Sequence, residues 1–215
     1  MLPPGNPGII RSGLRAIGRV LGAPATVPID YSELRIARPG DLVLYSPDRP
    51  NPKQVTIQVA QRLRCAREHA AFTHIALLVA PAEIVDSVTD GGVAKRPLKT
   101  LSERGWLRVR RARSATAVQA AAVVALALDM ADQNHPYNGL DALLDGLNFE
   151  LDDDWRTLVA APNMKEAFYC GQVVDAAYVA KGIGSVVDGA RSPLPAAFSE
   201  NDALFEDVPA HYPSR

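Results

Sequence analysis

The sequence predicts an α+β domain built on antiparallel strands, and three observations carry that expectation. "THIALLVA" and "EIVDSV" are apolar strand-like runs that meet near Pro81, the pattern of a hairpin. "ATAVQAAAVVALALDMAD" and the stretch after Cys170 run on a helical rhythm instead. The chain has 215 residues, 47% hydrophobic and 22% charged, which suffices for one domain with a proper core.

Taken in order, residues 1 to 8 are rich in proline and glycine and read as disordered or extended. Residues 9–22 read as a basic amphipathic helix, with Ile10, Leu14, Ile17 and Leu21 on one face and Arg11, Arg15 and Arg19 elsewhere. Packing of that stripe on the domain is the favoured role. Peripheral contact with a membrane surface or a partner is the functional alternative. Pro24 and Pro28 mark a linker, so an arm over 1–27 precedes a domain over 28–215.

"GDLVLYS" is the first expected strand, followed by the loop "PDRPNPKQ" and a helix over "VTIQVAQRLRCARE", where Cys65 is structural. After the hairpin, "GGVAKRPLKTL" and "WLRVRRAR" add strands, the second with a strongly basic face. The alanine-rich helix is apolar around most of its circumference and is expected to be buried. "HPYNGLDALLDGL" reads as a turn and a short helix, and "ELDDDW" as a solvated acidic surface lacking the glycine and ligand spacing of a calcium loop. A last strand, "ALFEDV", returns to the sheet.

Several function classes fall away. A net charge of −1 supplies no field toward nucleic acid, and no nucleic-acid motif is present. No run of about 18 apolar residues spans a membrane. The N-terminus lacks the continuous apolar region of a secretory signal, so the cytoplasm is the expected location, with a dedicated secretion system as the other route. Two cysteines, Cys65 and Cys170, build no disulfide scaffold, so reduced thiols are expected. No closely spaced Cys/His set implies a metal, and no cofactor is expected.

In "EAFYCGQVVDAAY", apolar residues at Val173, Val174, Ala177 and Tyr178 place Cys170 in the first turn of a helix that stops near Gly182. Unpaired backbone N–H groups and the helix dipole there favour a thiolate. The alternative is a small apolar residue filling space. A nucleophilic cysteine needs a base and an orienting group. His69, His135 and His211 read as surface residues, whereas His74 opens an apolar strand. Asp86 shares a face with His74 if even positions pair with even ones, and Glu83 is the competing acid. Tyr45 and Tyr169 are candidate hydroxyl donors, with packing the favoured role for both.

"PGDLVLYS", "THIALLV", "IVDSV" and "FYCGQVVDAAY", in that order, resemble the circularly permuted branch of the NlpC-type papain-fold cysteine hydrolases. That branch includes YiiX/YebB-like hydrolases and lecithin–retinol acyltransferase-like proteins. "HPYNGLDALL" and "SPLPAAFSENDALFEDV" are similar to further pieces of it. The resemblance covers roughly residues 37 to 208. It implies a papain-like sheet packed on helices, with Cys170 as nucleophile, His74 as base and Asp86 as orienting group. The chain departs from the pattern at Gly171, often serine in relatives, and at Asp86, often glutamate or histidine. NlpC-like relatives cut peptide bonds in bacterial cell walls, and acyltransferase-like ones move acyl chains on lipids. The expected activity is therefore attack on an amide bond of a peptide-like substrate. The alternatives are a lipid acyl hydrolase or transferase and a non-catalytic binding module.

Overall fold

The computed structural model describes residues 27–28, 36–62, 65–101, 104–137, 169–186 and 193–208. The expected helix over 9–22, most of the segment after Tyr137, "ELDDDW" and His211 lie outside them. The architecture is α+β. Strands β1 (Val27–Pro28), β2 (Leu42–Pro47), β3 (His74–Ala80), β4 (Glu83–Val88), β5 (Gly92–Pro97), β6 (Arg104–Ala112) and β7 (Phe205–Asp207) make one seven-stranded sheet. Its order is β1-β6-β2-β3-β4-β5, every pairing is antiparallel, and β7 joins β1 along β6. The described helices are α1 (Pro52–Arg62), α2 (Arg67–Ala70), α3 (Ala117–Asp132), α4 (Cys170–Ala180) and α5 (Pro195–Glu200).

The strands are apolar on both faces because both faces are covered. Leu42, Leu44, Ile75, Leu77 and Val85 face α3 and α4 in the main core, whereas Val43, Ala76, Leu78 and Ile84 pack with Leu98 in a second cluster. From α4, Val173, Val174, Ala177 and Tyr178 are buried in the main core, each large apolar side chain contributing about 1.5–3 kcal/mol. The far end of α4 is pinned where Tyr178 Oη donates to Gly40 O at 2.5 Å and its ring meets Phe205 edge-on, centroids 5.7 Å apart. Gly182 (φ +68) ends the helix as expected, its N–H bonded to Val179 O.

Several expectations need correction. The helix expected from Val55 starts at Pro52, because Asn51 and Gln54 form a reciprocal capping box at 3.0 and 2.9 Å and proline suits a first helical position. It ends at Arg62, so Cys65 sits in a bend between α1 and α2 rather than on a helix. The alanine-rich helix α3 buries only one stripe, Val123, Ala127 and Met130, and Val118 is 79% exposed. Alanine favours helix without demanding burial, so composition overstated its depth. His69 is half-buried rather than on the surface, with Nδ1 2.9 Å from Ser199 Oγ and 3.2 Å from Arg108 Nη1. Burial, then the Arg108 charge, lowers its pKa.

The basic face of β6 is also turned to structural use. Arg108 forks onto Asp207 at 2.8 and 3.0 Å and donates to Ser199 O. Arg110, 1% exposed, donates to the carbonyls of Phe198, Ser199 and Phe205 and to Asp202. Arg111 grips both oxygens of Asp41, at 2.8 and 2.7 Å. Arg108 and Arg110 strap the later segment, α5 and β7, to the sheet, whereas Arg111 ties β6 to the chain entering β2. Gln61 adds a further tie, accepting from Ala196 N and donating to Ala70 O and Phe72 O.

The strapped segment reaches the start of α4. A Cβ built on Gly171 would overlap Pro193 O, so this helix tip admits no side chain at its second residue. Gly171→Ala is expected to destabilise by about 1–3 kcal/mol through overpacking. In a chain this size that lowers the melting midpoint by roughly 2–4 °C per kcal/mol, readable by thermal unfolding.

Candidate active site

The site lies where the first residue of β3 meets the first residue of α4. His74 pairs with Tyr45 across β2–β3, and Thr73 N bonds Tyr45 O, which fixes the backbone entering the strand. On the other side, Leu77 faces Val85 and Leu78 faces Ile84. Continuing that register sets Asp86 opposite Ala76, one diagonal step from His74 on the same face. His74 Nε2 lies 2.9 Å from Asp86 Oδ2. Asp86 is 2% exposed and His74 15%. Glu83 instead opens β4 at the surface, 3.4 Å from Lys95 Nζ, so Asp86 and not Glu83 meets the imidazole.

Cys170 is the first residue of α4 and is 6% exposed. Gln172 Oε1 accepts from Tyr169 N at 3.0 Å and so takes up one N–H at the helix start. The Cys170 side chain lies near enough to the His74 ring to raise its proton affinity. With Nε2 engaged by the carboxylate, Nδ1 is the nitrogen left to exchange a proton with sulfur. Burial by itself lowers the proton affinity of the ring. The Cys170 charge, the hydrogen bonds to Asp86 and Cys170, and the Asp86 charge outweigh it and raise the His74 pKa from 6.5 to about 10. Cys170 and Asp86 thus both favour the charged form of the buried ring.

Two participants escaped the sequence reading. Tyr137 approaches from the segment after α3, and its phenol pKa is raised by burial and then by the Cys170 charge, so it keeps its proton and remains a donor. Its position near sulfur depends on a chain crossing that no local pattern encodes, although "HPYNGLDALL" had marked the segment. Arg96 donates through Nε to Asp86 Oδ1 at 2.9 Å. A signal for it did exist. The "TDGG" turn fixes a register in which Ala94 faces Asp86 and Arg96 lies one diagonal step beyond. Tyr45 and Tyr169, weighed as hydroxyl donors, are 4% and 1% exposed and packed in the core.

Among the described residues no cluster of three or more His, Cys, Asp or Glu is placed to hold a metal ion, and no helix is long and apolar enough to cross a membrane. The sequence matches no family model and no curated protein, so the chemistry is argued from the geometry of the cluster.

The charge state is directly measurable. Isotope-labelled His74 is expected to give imidazolium signals at about pH 8, above the ordinary histidine range, because its raised pKa keeps the ring protonated until pH approaches 10. In Cys170→Ala the midpoint should fall, since the largest of the raising influences is gone. A neutral ring at that pH in the native protein would contradict the pairing.

Proposed function

We propose that this chain is a cysteine hydrolase of permuted papain-like architecture that attacks an amide bond of a peptide-like substrate through a thioester. The observation that carries the reading is the His74 ring held between a cysteine at a helix tip and a buried carboxylate. The chain order supports it as well. The histidine strand precedes the cysteine helix, as in the permuted proteins the sequence resembles.

In this mechanism the thiol proton of Cys170 passes to His74 Nδ1, giving a thiolate–imidazolium pair that Asp86 steadies from Nε2. Sulfur bonds to the substrate carbonyl carbon, and the oxyanion is met by the Cys170 backbone N–H, with the protonated Tyr137 hydroxyl within the same neighbourhood. The C–N bond breaks as His74 returns its proton to the leaving amine. Water, deprotonated by His74, then attacks the thioester, the C–S bond breaks, and the proton returns to sulfur.

The amide reading is preferred to acyl chemistry on a lipid because the arginines of "RVRRAR", which would otherwise suit an anionic surface, are engaged by Asp41, Asp202, Asp207 and Glu206. The membrane contact expected from residues 9–22 falls outside the described residues.

Hydrolysis of peptide and cell-wall-peptide libraries, read by mass spectrometry, tests the proposal. Cys170→Ala should abolish turnover and His74→Ala should lower it by roughly 10²–10⁴-fold, while Glu83→Gln stays within about twofold. Retained hydrolysis in Cys170→Ala sinks the mechanism. Fatty-acid release from liposomes without peptide cleavage would replace the amide reading with the lipid one. A thiol inert to iodoacetamide would point to a binding module.

A further inference from the structure

Both carboxylate oxygens of Asp86 are occupied. Oδ2 meets His74 Nε2 and Oδ1 accepts from Arg96 Nε, each at 2.9 Å. The same guanidinium reaches back through Nη2 to the carbonyls of Gly91, at 3.2 Å, and Gly92, at 3.3 Å. Arg96 is 26% exposed against 2% for Asp86, so its fork enters the protein from the rim and ends on a buried acid.

The turn that Arg96 braces is itself a seat. Gly92 adopts φ +57, and a Cβ there would overlap His135 O. Val93 N donates to that same carbonyl at 2.8 Å. The backbone of His135 therefore rests on the braced turn, two residues before the Tyr137 phenol that feels the Cys170 charge.

A cation that merely supports a hairpin looks different, and one lies next door. Lys95 pairs with Glu83 at 3.4 Å with both side chains about half exposed, at 50% and 44%. Arg96 spends its shortest bond on the carboxylate that His74 uses. A carboxylate held at one oxygen turns easily about its terminal torsion, whereas one held at both keeps Oδ2 aimed at the ring.

We propose that Arg96 is a positioning residue for the Cys170–His74–Asp86 site. One guanidinium locks the Asp86 carboxylate toward His74 and, through Gly91 and Gly92, holds the turn that seats the His135–Tyr137 segment beside the sulfur. The inference rests on the thiol-hydrolase reading of that site. It needs the planar fork of arginine, which the single ammonium of lysine does not reproduce.

The test compares Arg96→Gln, Arg96→Lys and, as a charge-loss control, Lys95→Gln. The readouts are the second-order rate of Cys170 alkylation by iodoacetamide and the downfield proton resonance of His74 Nε2. Both Arg96 variants should lose at least about tenfold in alkylation rate, the order of loss that follows removal of an outer-shell hydrogen-bond partner at metal sites. Their His74 resonance should shift or broaden. Lys95→Gln should stay within about twofold of the native rate. In the native protein, where folding is not at issue, the Arg96 Nε–H signal should be protected from exchange and should move on Cys170 alkylation. Native rates in both Arg96 variants, an equal loss in Lys95→Gln, or an Arg96 signal indifferent to alkylation would each overturn the proposal. An unreactive Cys170 with a neutral His74 in the native protein would instead overturn the hydrolase reading beneath it.

Discussion

The site depends on how β3 and β4 are laid side by side. Even positions face even positions, as in Leu78 with Ile84, and this puts an imidazole and a carboxylate on one face. A slip of one residue between them would send Asp86 to the other face, away from His74. Hydrophobic patterning does little to prevent that slip, because Ile75, Ala76, Leu77 and Leu78 are buried on both faces alike. What penalises it is polar. A slipped Asp86 would be a buried carboxylate without its imidazole partner, a larger cost than exchanging one aliphatic contact for another. Toward the closed end the register shifts by one, Ala80 facing Glu83, and the turn at Ala82, φ +63, is tied by the bond from Leu98 N to Ala82 O.

The arginines extend this logic from a pair of strands to the whole fold. Arg108 and Arg110 of β6 hold the carbonyls and acids of the closing segment, and that segment lies against the start of α4 at Gly171. Burying Arg110 is tolerable because its two Nη groups meet carbonyls of Phe198, Ser199 and Phe205 as well as Asp202. It also lies over the Phe205 ring, 5.9 Å from the centroid. A run of like charges thus works as internal strapping, and the helix tip carrying Cys170 is bracketed by what it straps.

The parts that could be read from sequence were those encoded locally. The hairpin follows from two apolar runs around a proline, and the cysteine helix from the spacing of Val173, Val174, Ala177 and Tyr178 with glycine as its stop. The pairing of His74 with Asp86 was legible as a conditional, because facing positions follow once a register is assumed. The early start of α1 was written in Asn51, Pro52 and Gln54 but hidden by the loop-like composition around them. The half-exposed state of α3 was not legible, since alanine serves a buried and an exposed face equally well. Tyr137 and the ties of His69 to Ser199 and Arg108 depend on segments far apart in the chain meeting in space. No periodicity reports such meetings.

The order of the elements along the chain has a temporal consequence. The histidine and the aspartate sit on neighbouring strands joined by a two-residue turn and can pair as soon as that stretch has left the ribosome. The cysteine follows a long interval later, and the contact that shapes its helix tip comes from residue 193, later still. A growing chain of this design carries its imidazole and carboxylate early and the Cys170 sulfur later. The two parts therefore come together only after residue 170 and the backbone around residue 193 have both been made.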